Sequence, residues 1–362
     1  MNFKIKKIKL AGLEEFSQSE AFKNFETIPI SPLRVRSYIH NPAAMNNDVV
    51  LCMGFDGEKL VAFRTFFAGQ VNCASAPIRF GWCSGNWVHP AYRRKGLSEK
   101  LLAKAWTDWD GKLMSTNYAP NSEKLFLKTG LFQPIYQFYG FRGYLFPNTK
   151  KMFGGPEANF FIKAGTSIID SILHCFSNLR AQFYTFKPSP GIRFEIAEKP
   201  DTTCMQRVET HKNSLFFVRG EKELHWIFNF PWMTNLKEDH IANYPFSTYS
   251  SDFHYKTVKI FNKERFEGFF LFSVKNGHLK TLFIDTVPGL EKDISGFIKN
   301  YALKNRIEMV TIYNFELAKY CLNQKFPFLP GKAYGQKIYS SFKIEEHTNY
   351  RFQDGDGDLI FT

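Results

Sequence analysis

Residues Trp87 to Leu102, WVHPAYRRKGLSEKLL, set a proline, two arginines, a lysine and a glycine between an apolar run and an amphipathic one. Upstream, residues 79–88 read as a β-strand containing Gly81 and Gly85, and Pro90, which has no N–H to give a ladder, ends it. Downstream of Gly96, residues Leu97, Leu101, Leu102, Ala105 and Trp109 fall on one helical face, with Glu99, Lys100, Lys104 and Asp108 off it. The spacing predicts a strand, a basic turn and a helix in succession. A helix N-terminus carries unpaired N–H groups and the positive end of its dipole, so it attracts phosphate before any side chain helps. Arg93, Arg94 and Lys95 add charged donors, and Gly96 removes the side chain that would hold a phosphate away from the backbone. Such a turn is suited to a pyrophosphate.

Working outward, β-rich and helical segments alternate through the first 150 residues. Residues 3–9, 49–53 and 59–67 read as strands, 13–25 as a helix, and Asp56 with Gly57 as a turn. After the central helix come a short strand at 112–116, a helix SEKLFLKT capped by Asn121 and ended by Gly130, and a strand at 135–140. This mixture predicts an α/β sandwich built on a mixed sheet. KKMFGGPEANFF, a helix reaching about Phe183 and the breaker KPSPG then mark a boundary. Beyond it the cycle restarts, with strands at 193–197, 255–261, 266–274, 279–284 and 308–313 and helices at 202–213, 290–305 and 316–323. VHPAYRRKGLSEKLLAKAW pairs with TVPGLEKDISGFIKNYAL, and NSEKLFLKTGLF with NFELAKYCLNQKF, as in a diverged duplication of a whole domain. The expected organisation is a first domain at 1–150, a helical linker at 151–190, a second domain at 191–345 and an acidic tail at 346–362.

Composition excludes several classes. With 44% hydrophobic and 17% aromatic residues, 40 of them Phe, the 362-residue chain has ample material for packed cores and is not disordered. Its 47 Lys and Arg against 34 Asp and Glu give +13, which favours anionic partners, but the excess is spread along the chain. Six cysteines without a CxxC pair indicate neither a zinc site nor a disulfide framework. The basic start MNFKIKKIKL has no apolar run behind it, and the apolar stretch 166–176 is broken by Asp170 and His174, well short of the ~20 residues of a membrane span. A cytoplasmic protein with no membrane span is expected. DGDGDLIFT, residues 354–362, lacks the spacing of a calcium loop, so no metal is expected.

Residues Val88 to Ser98 resemble the acyl-CoA signature of the GNAT superfamily of N-acyltransferases, Q/R-x-x-G-x-G/A following V-x-P-x-[YF]. Arg93 stands at the Q/R place, Gly96 at the first Gly and Ser98 where Gly or Ala is usual. NSEKLFLKTGLF resembles the second signature, an Asn-led helix ending in x-L-Y-x-K-x-G-F, and the resemblance covers roughly residues 1 to 145. It implies two tandem GNAT-like domains and an acyl-CoA, acetyl-CoA in the simplest case, as acyl donor. Backbone groups of Arg94, Lys95, Gly96, Leu97 and Ser98 would cradle the pyrophosphate, with Arg93 beside them. Trp87 and Val88 would bind the pantetheine and supply an oxyanion donor, and Asn121 and Phe126 would contact the cofactor from the second helix. The acceptor implied is a small-molecule amine, such as an amino sugar or an amino-acid derivative, which attacks directly in a ternary complex. The family's helix tyrosine, often the acid that protonates the departing thiolate, corresponds to Phe126, which has no proton to give. His89, Tyr118 and Tyr139 are the candidate substitutes.

In the second half a carboxylate falls where phosphate would bind. Counting from Pro288 as from Pro90, Glu291 takes the place of Arg93 and Ile294 that of Gly96; sliding by two to bring Gly296 under Gly96 puts Asp293 there instead. Like charges repel, so the second domain is expected to keep the fold without the cofactor site. ELHWIFNFPW, residues 223–232, is either an aromatic surface for sugar rings or buried core. Asp354, Asp356 and Asp358 in the tail are candidate carboxylate bases. Two further readings stay open: a non-catalytic CoA- or sugar-binding module, suggested by Phe126, and an aminoacyl-tRNA-dependent transferase, in which the positive charge would serve RNA. No helix-turn-helix, zinc finger or RNP motif is visible, so nucleic acid is not otherwise expected.

Overall fold

A computed structural model describes residues 3–116, 120–149, 160–344 and 350–361. The chain begins with β1 (Phe3–Lys9), α1 (Leu13–Gln18), α2 (Glu20–Lys23), α3 (Pro32–Ile39), β2 (Val49–Asp56), β3 (Lys59–Val71) and β4 (Ile78–Val88). It continues with α4 (Leu97–Asp108), β5 (Leu113–Thr116), α5 (Pro120–Lys128), β6 (Gln133–Tyr144), α6 (Phe160–Phe183), β7 (Ile192–Ala197), α7 (Thr202–His211) and α8 (Glu221–Asn229). It ends with β8 (His254–Asn262), β9 (Arg265–Lys275), β10 (His278–Thr286), α9 (Glu291–Lys304), β11 (Met309–Ile312), α10 (Phe315–Asn323) and β12 (Leu329–Ser340). The helix expected at 13–25 is two pieces, because Ser19 turns extended and caps α2 through its hydroxyl. Among the described residues, no helix is long and apolar enough to cross a membrane.

The chain divides into two compact units, and neither is contiguous. The first comprises residues 1–137, 201–253 and 336–362, the second 138–200 and 254–335. This replaces the contiguous domains expected at 1–150 and 191–345. Residues 201–253, expected in the second domain, pack in the first unit, and so does the supposed acidic tail. That tail is not a solvated appendage: Asp354, Asp356, Leu359, Ile360 and Phe361 are all buried, while Glu345 and Glu346 lie outside the described residues.

In the first unit, β1, β2, β3 and β4 form antiparallel pairs in that order, β5 joins β4 in parallel, and the end of β12 closes on β5 with Ile338 opposite Thr116. One face of this sheet is covered by α4, whose Leu97, Leu101, Leu102 and Ala105 are buried against Val61, Ala62, Phe66 and Cys83. The other face carries an aromatic cluster. Phe67 meets Tyr38, Trp226, Trp232 and Phe361, and the Trp232 and Phe361 rings stack at 4.4 Å. The indole N–H groups of Trp226 and Trp232 donate to the Ser37 carbonyl (2.6 Å) and hydroxyl (2.9 Å). ELHWIFNFPW is therefore core rather than a sugar platform, with its apolar bulk buried and its polar edges satisfied.

The second unit repeats the plan. β6 from Phe138 onward pairs with β11, β11 lies parallel to β10, and β9, β8 and β7 follow antiparallel. Phe270, Phe272, Ile294, Ile298, Val310 and Leu317 belong to its core.

Candidate functional site

A cleft of about 670 Å³ opens beside the basic turn, lined by Asn86, Trp87 and Val88 of β4, by Arg93, Arg94 and Gly96, by Ser98 of α4 and by Lys124 and Lys128 of α5. Its geometry begins in β4. The strand pairs with β5 only through Gly81 and Trp82, so from Cys83 to Val88 its outer edge has no strand partner among the described residues. The register with β3 shifts here: Arg64 opposes Asn86 and Phe66 opposes Cys83, leaving Thr65 across from both Ser84 and Gly85. The Thr65 hydroxyl accepts the Gly85 N–H at 2.8 Å and pins this bulge.

The turn itself is wound through the left-handed region, with φ of 63° at Arg94 and 73° at Gly96. The first backbone rung of α4 runs from the Lys100 N–H to the Gly96 carbonyl, and no side chain caps the helix. The N–H groups of Leu97, Ser98 and Glu99 thus precede the first carbonyl they could reach in the helix. By contrast α3, α7 and α10 are capped by Ser31, Asp201 and Asn314. A side chain at Gly96 would meet no neighbour within 4 Å, so what it would occupy is cleft space, in a conformation hostile to a Cβ.

Under the cleft lies Arg64, 1% exposed. Its Nη2 donates to the Ser98 hydroxyl at 3.2 Å, and that hydroxyl donates to Asn86 Oδ1 at 2.8 Å. With Oδ1 so engaged, the Asn86 amide is left with its N–H groups to offer. Arg64 enters no ion pair among the described residues, and its Nε is buried without a partner. Burial lowers the guanidinium's hold on its proton, and nearby Cys83 opposes that only weakly because burial pushes its own thiol up to about 11. The cation stands among a hydroxyl, thiols and the Phe126 ring, 5.5 Å away.

No family model matches the chain, and no curated protein matches its sequence. Solved structures do. A GCN5-related N-acetyltransferase from Anabaena variabilis ATCC 29413 superposes with a TM-score of 0.50 at 10% identity over 94% of this chain and 72% of its own. A probable N-acyltransferase from Enterococcus faecalis V583 gives 0.51 at 10% identity over 96% and 74%. A tandem GNAT protein from the clavulanic acid biosynthesis pathway gives 0.51 at 9% identity, over 95% of this chain and the whole of that one. The chain has the tandem GNAT fold. At such identities the likeness is one of fold alone.

The two GNAT units differ at the decisive turn. Eight residues, His89 to Gly96, join β4 to α4, but only four, Val287 to Leu290, join β10 to α9. Neither register drawn from the sequence holds, because counting from the helix start puts Leu290 in the place of Gly96. The basic residues have no counterparts in the shorter turn. Asp293 instead accepts the Ser189 N–H at 2.7 Å, so a carboxylate sits in the first turn of α9.

The candidate residues from the sequence fare unequally. Trp87, Val88, Arg93, Arg94, Gly96, Leu97 and Ser98 line the cleft. Lys95 does not; its ammonium sits 4.8 Å over the Tyr92 ring. Phe126 is buried on Phe132 in the core, 2% exposed, and does not line the cleft either. Asn121 lies inside α5, which begins at Pro120, rather than ahead of it as a cap. His89 spends Nδ1 on accepting the Ala91 N–H at 3.2 Å, a structural task, and Tyr139 belongs to the second unit with 61% exposure. Tyr118 lies outside the described residues. Tyr339, beside Phe126, gives its hydroxyl to Glu123.

Sequence reasoning missed Lys124 and Lys128, although their spacing of four puts them on one face of α5. It also missed Asn86 and Arg64, which only strand register brings together. On the opposite face of β4, Ser84 accepts from Arg34 Nη1 at 2.7 Å and donates to Asp358 Oδ2 at 3.0 Å, while Asp358 Oδ1 is buried without a partner. Asp358 is thereby joined to β4.

Proposed function

We propose that the protein is an acyl-CoA-dependent N-acyltransferase, transferring an acetyl or similar acyl group to the amine of a small acceptor. The observation that carries this reading is the uncapped, left-handed turn from Arg93 to Ser98, open on a basic cleft beside a strand edge that has no strand partner among the described residues. The N–H groups that start α4 would hold the pyrophosphate, with Arg93, Arg94, Lys124 and Lys128 neutralising it. The free edge of β4 offers backbone groups to an extended pantetheine as a further strand would. The Asn86 amide, oriented through Ser98 by Arg64, would donate to the thioester carbonyl as negative charge develops on it.

Attack by the amine forms the C–N bond, the C–S bond breaks, and the thiolate takes up a proton. Asp358, reached through Ser84 at the β4 bulge, is the carboxylate proposed to accept the proton that the ammonium must lose. Calorimetric titration of acetyl-CoA into the wild type and into Gly96→Val tests the reading. Binding by the wild type, weakened at least tenfold in a folded variant, is expected; a folded wild type that fails to bind would sink it. A second reading, a CoA-binding protein without chemistry, is favoured by the burial of Phe126 where the family places its tyrosine. Release of free CoA thiol with any of a broad amine panel decides between them, and Asp358→Asn should then slow that release.

A further inference from the structure

Helix α6 is polar inward and apolar outward. On its inner side the Thr149 N–H donates to Asp170 at 2.6 Å, the Thr149 hydroxyl to the Thr166 carbonyl at 3.1 Å, and Ser177 to the Leu145 carbonyl. His174 Nε2 lies 3.1 Å from the Pro147 carbonyl, and Arg180 donates to the Phe328 carbonyl at 2.8 Å. On the outer side Ile168, Ile169, Ile172, Phe176, Leu179 and Phe183 are 48–74% exposed. A surface helix ordinarily buries its apolar stripe and wets its polar one. Here the arrangement is reversed, and contiguous apolar patches of this kind mark interaction surfaces.

The spacing selects the partner. Ile169, Ile172, Phe176, Leu179 and Phe183 recur at intervals of three, four, three and four, the a and d positions of a heptad seam that takes another helix. A helix that lies on lipid needs basic residues along its wet face; among the described side chains of α6, the exposed neighbours of this stripe are Ser167, Ser171, Cys175, Asn178 and Gln182, all uncharged. Two such stripes laid together would cover on the order of 1,000 Å², about where specific interfaces begin. We infer that α6 pairs with α6 of a second copy of this chain across a twofold axis. The contact is isologous, so each stripe serves as both donor and receiver of the apolar surface.

Sedimentation velocity of the full chain at tens of micromolar tests this. A dimer is expected, and the double variant Ile172→Asp, Phe176→Asp should sediment as a monomer with unchanged circular dichroism, while Ser171→Asp on the adjoining face leaves the dimer intact. A monomeric wild type overturns the inference, as does a dimer indifferent to the double substitution. Co-sedimentation of a monomeric wild type with anionic phospholipid vesicles, lost in Phe176→Asp, would assign the stripe to lipid and overturn it too. Should the double variant fail to fold, the exposed Cys175 can carry a spin label on a Cys73→Ser background. Dipolar coupling between labels is then expected, and its absence refutes the pairing.

Discussion

Arg64 holds a positive charge in the interior with no carboxylate to answer it among the described residues. An ion so placed contributes little to stability and is tolerated as well by an apolar chain of its length. Arg64→Met should therefore leave the melting temperature unchanged or raise it, yet lower the proposed acyl transfer by tenfold or more, since Ser98 and Asn86 lose their orientation; thermal melts and CoA-thiol release read the two effects separately. Equal turnover in the two proteins would make Arg64 a packing residue. A second residue makes stability depend on pH. Burial pushes the Asp356 carboxyl up to about 7, opposed in part by Arg219. The folded chain thus holds this proton more tightly than the unfolded chain, so the stabilisation is complete below about pH 4 and is lost as pH rises through about 7. Urea melts at about pH 5 and about pH 8 should differ less in Asp356→Asn than in the wild type. None of this was legible in the sequence. Arg93 and Gly96 announce themselves because their partners are their neighbours in the chain, whereas Arg64, Asn86 and Ser98 meet only through a strand register that carries a bulge.

At the level of elements, periodicity and capping recovered most strands and helices, and two failures have physical causes. β12 went unread because Pro330, Gly331 and Gly335 punctuate it. Gly331 is required there, since a Cβ would collide with the Phe141 ring. α8 was read only as a concentration of aromatics, although the Glu223 carboxylate reaches back to accept the Gly220 N–H at 2.7 Å and marks its start. α3 was legible, with Ser31 as cap and Pro32 at the first position, and was overlooked. The burial of Trp232, ringed by Tyr38, Phe67 and Phe361, makes Trp232→Ala costly by about 3–5 kcal/mol in chemical denaturation. Soluble sugars should give no protection against it, because the ring is not available to stack on them.

For the whole molecule, the order of segments revealed a duplication, but not that each sheet is finished by a strand from the other half of the sequence. β12 supplies the last strand of the first unit and β6 that of the second. Periodicity reports which face of a strand is buried and is silent about which sheet receives it. Residues 1–150 expressed alone carry the entire basic turn yet lack α7, α8 and the partner of β5. That fragment should show no cooperative melt and no acetyl-CoA binding by calorimetry, while the full chain shows both. The same interlacing imposes a calendar on biosynthesis. Domains ordinarily fold in turn as they leave the ribosome, but here the unit that emerges first must wait for residues 336–362, whereas the second is complete once residue 335 is out. A nascent chain interrupted before that point would present an unmated β5 and an open aromatic core to the cell's proteases, so truncated products should be cleared rather than accumulate half-folded.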